Sequence, residues 1–307
     1  MVKAPQFQWS FLHPRYWGIW LGCALLWLIS WLPYAVLMKL GDGIGLLLLK
    51  LLKSRAKVAR RNLELCFPEK TAAEREQLLR ANFKESGRAL FDTIIGWWWP
   101  AWRLKRFAVM KGFEHIQAAR DAGKGVLLLA SHMLHLEAGG RIFGFSLPCV
   151  GFYRPHNNPL MDWLQYRGRI KANKYMIGKR EVKALLQALD EGEVCFYLPD
   201  QDYGRKKAEF VPFFAVDETA TTTGTLLFAS HANCLVIPVY TRRLPGSQGY
   251  EIECLPALEQ FPSGDDAADV RRINAWVEQA VLRAPEQYMW LHRRFKTRPN
   301  PDDPGLY

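Results

Sequence analysis

The chain has 307 residues, of which 49% are hydrophobic and 23% charged, so it is long enough to bury a full core and is neither disordered nor a many-span transporter. Its 41 basic and 30 acidic residues leave a net charge of +11, and it carries 12 tryptophans. A basic, Trp-rich chain points to an anionic partner near a membrane interface.

The first predicted element is an uncharged stretch, residues 16–38, between Arg15 and Lys39. Twenty-three apolar residues at ~1.5 Å each are enough to cross a bilayer core of ~30 Å, so the pattern predicts one N-terminal transmembrane helix after a short flank, residues 1–15. Trp17, Trp20, Trp27 and Trp31 lie within it, and Pro33 would kink or end it. The stretch is too long for a signal-peptide core and no small-residue cleavage site follows. Positive charge is concentrated after the span, at Lys39, Lys50, Lys53, Arg55, Lys57, Arg60 and Arg61, which places the remaining chain on the cytoplasmic side. Residues 45–52 are too short to span and read as a helix at the inner surface. Residues 94–102 form an aromatic cluster that suits either an interfacial dock or a core.

From residue 39 onward a single cytoplasmic, membrane-associated domain is expected to run to residue 307. Residues 56–65 and 71–91 read as helices, the second opening with Thr71 as N-cap and Glu74 completing a capping box. Apolar runs of strand length then alternate with helical segments. Strands are predicted at 125–130, 149–153, 194–198, 235–240 and 250–255, and helices at 136–145, 160–171, 181–189, 219–231 and 267–282. Continuous apolar strands interleaved with helices indicate an α/β fold with a mainly parallel central sheet covered on both faces. The six cysteines form no C-x-x-C pair, and buried free thiols are expected.

Ligands of open α/β sheets bind beyond the carboxyl ends of the strands. One predicted strand runs into residues 131–137, SHMLHLE, and another into 200–204, DQDYG. With His132 at a strand end and Glu137 at the start of the next helix, the carboxylate can orient the imidazole, which is the arrangement of a general base in acyl transfer. A metal set from His132, His135 and Glu137 is the alternative, but no H-E-x-x-H helix accompanies it. No phosphate-binding glycine loop and no G-x-S-x-G elbow occur, so the substrate is expected to supply the nucleophile.

These residues carry a resemblance. Residues 11–17 (FLHPRYW), 61–68 (RNLELCFP), the His132-x-x-x-x-Glu137 pair, Tyr153-Arg154-Pro155, Asn158-Pro159, Arg167-Gly168-Arg169, 199–204 (PDQDYG), 222–225 (TTGT) and 284–299 (APEQYMWLHRRFKTRP) occur in order. The chain resembles the late (secondary) acyltransferases of lipid A biosynthesis, of the Kdo-lipid IV-A lauroyl- and palmitoleoyltransferase type, in the lysophospholipid acyltransferase-like superfamily. The resemblance implies transfer of a fatty acyl chain, laurate foremost, with palmitoleate or myristate as alternatives. The donor would be acyl-acyl carrier protein and the acceptor a 3-hydroxyacyl chain of the lipid A precursor at the bacterial inner membrane. No cofactor is implied. It assigns His132 as base and Glu137 as its partner, and gives weight to Arg169 and Asp200. Asp200 is expected to hold Arg169 as a bidentate pair, whose alternative is a structural ion pair. Arg154, Asn158 and the run Arg205, Lys206, Lys207 are expected to meet the acceptor's phosphates and carboxylates, or else to form a solvated basic face. His135 is expected to be a packing residue. Acyl carrier protein and the anionic membrane surface are the expected partners, and nucleic acid is not. Acyl transfer to another membrane lipid and a non-catalytic lipid-binding role remain the alternatives.

Overall fold

The structure, a computed structural model, describes residues 3–307. Met1 and Val2 of the expected N-terminal flank lie outside the described residues. In chain order the helices are α1 (Trp17–Ile29), α2 (Tyr34–Leu51), α3 (Lys53–Cys66), α4 (Ala72–Trp98), α5 (Ala101–Leu104), α6 (Phe113–Asp121), α7 (Leu136–Phe143), α8 (Pro159–Arg169), α9 (Val182–Asp190), α10 (Gly224–His231) and α11 (Asp266–Leu282). The strands are β1 (Ala108–Lys111), β2 (Gly125–Leu129), β3 (Cys149–Tyr153), β4 (Asn173–Gly178), β5 (Val194–Tyr197), β6 (Ala208–Phe213), β7 (Val216–Thr222), β8 (Cys234–Leu244) and β9 (Gly249–Cys254).

Seven strands form one sheet in the order β1-β9-β8-β2-β5-β3-β4. Every pairing is parallel except β8–β9, a hairpin. Strand β2 lies at the centre and all five of its residues are buried. Its side chains alternate between two cores, as a period of two requires. Leu127 and Leu129 join α3, the first half of α4, α9, α10 and α11, whereas Val126 and Leu128 join α2, the second half of α4, α6 and α7. Each fully buried leucine contributes about 1.5–3 kcal/mol. The sheet is therefore mainly parallel and sandwiched between helices, as the apolar runs predict.

The expected single helix over 16–38 is two helices instead. Helix α1 ends at Ile29, and after Ser30–Leu32 the chain restarts as α2 behind Pro33. The proline has no N–H to continue the first helix, so carbonyl groups at its end need other donors. Arg103 and Trp99 supply them. The Arg103 guanidinium donates to the carbonyls of Ser30 (3.0 Å), Trp31 (3.1 Å) and Leu32 (2.7 Å), and Trp99 Nε1 donates to Ser30 (2.8 Å). At 13 residues, α1 is about 20 Å long. Among the described residues no helix is long and apolar enough to cross a membrane.

Helix α2 is part of the fold. It packs along α4 so closely that a Cβ on Gly45 would stand 2.0 Å from the Phe83 carbonyl oxygen, and one on Gly87 would stand 2.1 Å from that of Gly41. Tyr34, Leu37 and Met38 are buried with Ile94, Ile95 and Trp99. The 94–102 cluster is thus largely core, with Trp102 exposed. The predicted helix over 219–231 is half strand. The Thr-rich residues through Thr222 pair antiparallel with β6, and α10 begins at Gly224. The capping box of Thr71 and Glu74 forms as read.

Candidate active site

Strands β2 and β5 are parallel neighbours with Leu129 opposite Tyr197. Three residues beyond each lie His132 and Asp200, which the common register brings level at the carboxyl edge of the sheet. Asp200 binds His132 twice. One carboxylate oxygen accepts the backbone N–H at 2.8 Å and the other contacts Nδ1 at 2.6 Å. Asp200 is fully buried. Burial by itself raises its carboxyl, but His132 and, more distantly, Arg294 outweigh it and the net shift is downward. An ionised Asp200 accepts a hydrogen bond from Nδ1–H, which leaves the Nε2 lone pair of His132 available.

Glu137 stands in the first turn of α7 and has other partners. Arg169, at the end of α8, donates to Oε1 through Nε at 2.9 Å and through Nη2. Trp97, at the end of α4, donates from its indole to Oε2 at 2.9 Å. The approach of α8 to α4 depends on Gly168, where a Cβ would fall 2.3 Å from the Trp97 ring. The two expected pairings, His132 with Glu137 and Asp200 with Arg169, are therefore exchanged. The strand register carries Asp200 to the imidazole, and the helix ends carry Arg169 to Glu137.

Both pairs border one cavity of about 490 Å³. His132, Glu137, Arg154 and Arg169 line it, while Asp200 lies behind His132. Its apolar walls include Leu136, Phe152, Phe196, Leu198 and Met289. No Ser, Thr or Cys is among its lining residues. Asn158 is not part of the wall. Its side-chain oxygen caps α8, accepting from the N–H groups of Leu160 (3.0 Å) and Met161 (3.2 Å). Arg205 binds the Arg298 carbonyl and is also away from the cavity. His135 is buried at the start of α7, and burial, only partly offset by the nearby Thr241 backbone, lowers it to about 4.

The C-terminal motif completes the site from behind. Met289 N–H donates to the His132 carbonyl at 3.1 Å, and the N–H of Leu134 donates to that of Gln287 at 2.8 Å. The Tyr288 hydroxyl donates to the Asp200 carbonyl at 3.3 Å. Two buried asparagines hold this segment down. Asn62 donates to the carbonyls of Trp290 and His292, each at 2.7 Å, and Asn82 to those of Glu286 (2.8 Å) and Tyr288 (2.7 Å). Trp97 and Met289 line the cavity although the sequence marks them only as members of longer runs, and Lys179 lines it without having been singled out. Trp97 is hidden in an aromatic run that reads equally as core, and Met289 and Lys179 have no spacing that ties them to His132.

This geometry provides an imidazole oriented by a buried carboxylate, a guanidinium braced by a second carboxylate, and a largely apolar cavity that both border. The family of bacterial lipid A biosynthesis acyltransferases matches residues 4–297. The chain is 46% identical to a lipid A biosynthesis lauroyltransferase of Escherichia coli (strain K12), over 97% of this chain and 98% of that one. It is 43% identical to a lipid A biosynthesis palmitoleoyltransferase of the same organism, over 97% of each chain. It is 42% identical to a lipid A biosynthesis acyltransferase of Haemophilus influenzae, over 99% of this chain and 98% of that one. A family match that runs nearly end to end identifies the chain as an acyltransferase belonging to the bacterial lipid A biosynthesis acyltransferase family.

Proposed function

We propose that the chain moves a fatty acyl group, laurate foremost, from the thioester of an acyl carrier protein to a 3-hydroxyacyl chain of Kdo-lipid IV-A. The observation that carries this reading is the His132–Asp200 pair opening onto a largely apolar cavity with no Ser, Thr or Cys among its lining residues. A thioester is already activated, so the acceptor hydroxyl serves as nucleophile. Nε2 of His132 takes the hydroxyl proton as the oxygen attacks the thioester carbonyl, and Asp200 stabilises the imidazolium. The tetrahedral intermediate expels the thiolate, and the imidazolium returns the proton to it. The acyl–oxygen bond forms as the carbon–sulfur bond breaks, and His132 ends neutral. Arg169 keeps Nη1 free of protein partners among the described residues, available to an oxyanion or a phosphate. The identity to a lauroyltransferase supports laurate as donor chain.

The site is reached from a lipid surface. Trp17, Leu21, Leu25 and Leu28 follow one another at helical spacing along α1 and are all exposed, and Trp27 and Trp31 stand beside them. A stripe of this size, flanked by Arg15 and Lys39, suits burial in the interface of an anionic bilayer, the inner membrane's cytoplasmic leaflet, where acyl carrier protein is available.

The test is acyl transfer in mixed micelles, with acyl carrier proteins charged with C10 to C16 chains and labelled Kdo-lipid IV-A. Addition of one chain with a defined length optimum, lost in His132→Ala, is expected. A wild-type protein inactive with every donor, or a His132→Ala protein as fast as wild type, overturns the reading.

A further inference from the structure

Helix α7 has only eight residues, and two adjacent ones, Gly139 and Gly140, are glycines. Glycine in a helix interior weakens the helix relative to alanine, so its presence calls for a reason in the surroundings. For many glycines here the reason is contact, since an added Cβ would strike backbone. Gly140 is different. A Cβ there would meet nothing within 4 Å, although the residue is partly buried.

The open space beside Gly140 is the active-site cavity. Gly140 lies three residues after Glu137, on the same face of α7 and one turn farther along. Leu136, Gly140 and Phe196 also border a second space of only about 10 Å³, which Ser131, Gly139 and Thr241 also line and whose apolar walls include Ala130, Phe143 and Ile252. These three are buried, and the rings of Phe143 and Phe196 meet edge to face at 5.1 Å. Behind Leu136, Gly140 and Phe196 there is room for no more than about one water, so the cavity that opens at His132 is closed there by a mainly apolar wall.

Resting on the acyl-transfer reading above, we propose that Gly140 sets the length of the acyl chain transferred. The donor's chain lies along Leu136 and Phe196 with its carbonyl at His132, and its distal methylenes pass the bare Cα of Gly140. The Phe143–Phe196 ring pair is the floor. A side chain at 140 would occupy the volume those methylenes need. A polar headgroup is a poor occupant, since Leu136, Phe143, Phe196 and Ile252 make up most of this wall and Ser131 and Thr241 are the polar side chains beside them.

The experiment compares wild type, Gly140→Ala and Gly140→Leu with acyl carrier proteins charged with C8, C10, C12, C14 and C16 chains, reading kcat/KM for each. Gly43→Ala is the control, because Gly43 also has open space around it in a helix but lies far along the chain from the cavity. The length optimum is expected to move to shorter chains in Gly140→Ala. The ratio for the wild-type optimum over the donor two carbons shorter should fall at least tenfold, as the loss of room for one methylene implies. Gly140→Leu should move the optimum further, and Gly43→Ala should reproduce the wild-type profile. Thermal melting of Gly140→Ala should equal or exceed that of wild type, which separates a filled cavity from a damaged fold. An unchanged length profile in active Gly140→Ala and Gly140→Leu, or an equal loss across all donors in Gly140→Ala, overturns the inference while leaving the acyl-transfer reading intact. Inactivity of the wild type with every donor overturns both.

Discussion

His132 and Asp200 meet because each lies three residues past a registered pair, Leu129 and Tyr197, on adjacent parallel strands. The contact is consequently a property of the sheet. The backbone N–H of His132 is held by the same carboxylate as its ring, so main chain and imidazole are fixed together. We expect His132→Ala to lower kcat by about 10²–10⁴-fold, the usual worth of a positioned base. Asp200→Asn should lose much of the same factor, and the double variant should be no slower than His132→Ala, since the two residues act as one unit. Rates that multiply in the double variant would show that they act separately.

The pairing of Glu137 with Arg169 can be separated from any pairing with His132 by double-mutant cycles on urea unfolding. Glu137→Gln and Arg169→Met should show a coupling of about 1 kcal/mol, modest because both groups are partly solvated. Glu137→Gln and His132→Ala should be additive within about 0.5 kcal/mol. A larger coupling in the second cycle than in the first would restore the partnership suggested by their spacing.

His135 gives the fold an acid-sensitive step. Its folded pKa is lowered to about 4 by burial, whereas an unfolded histidine titrates near 6.5. The neutral form is the one the fold accepts, so the contribution is whole above about pH 6.5 and is lost as pH falls toward 4. The shift corresponds to about 3 kcal/mol. Urea midpoints of wild type and His135→Phe, compared at pH 7 and at pH 4.5, should show a smaller acid loss in the variant. Equal losses would show that His135 is not the group responsible.

Asn158 is bound to the N-terminus of α8 through its side chain. Asn158→Ala should cost about 1 kcal/mol of stability, as loss of a cap does, and leave KM for the acceptor unchanged well below the melting temperature. A raised KM with unchanged stability would assign it to substrate instead.

The exposed stripe on α1 predicts a lipid-binding defect separable from chemistry. Leu21→Ser combined with Leu25→Ser should weaken binding to anionic vesicles by at least tenfold, given the ~1.5–3 kcal/mol that burial of each leucine is worth. Turnover of a soluble, short-chain acceptor should persist. Unaltered vesicle binding would move the docking surface elsewhere.

Much of this structure is legible in the residues, and the exceptions have physical causes. The central strands β2, β5 and β8 are buried on both faces, and their apolar runs announce them. The edge strands β1 and β4 are half exposed and carry Lys111, Asn173 and Lys174, so they lack that signature. His132 and Asp200 are both visible as polar groups at strand ends. That they belong together depends on which strands are neighbours, which linear spacing does not encode. Spacing favours Glu137, five residues from His132, and only the ends of α4 and α8 show where its carboxylate goes. The uncharged stretch from 16 to 38 is apolar enough to read as one helix. Pro33 marks where it breaks, but not that Arg103, seventy residues downstream, binds the carbonyls of Ser30 and Leu32 at the turn.

The backbone-to-backbone packing of α2 on α4 has a mechanical consequence. Helix α4 runs for 27 residues, about 40 Å, and ends at Trp97–Trp98 beside Glu137. At that same end, Trp99 and Arg103 grip the close of α1. The exposed stripe of α1 and the candidate active-site cavity are thereby mounted on one long helix, with no slack linker between them. If α1 seats in a bilayer as proposed, the reacting carbonyl would stand at a fixed height above the lipid, and the protein would work as a depth gauge. An acceptor whose hydroxyl sits too high or too low relative to its own anchoring chains would then be rejected by geometry alone, before any pocket reads its headgroup.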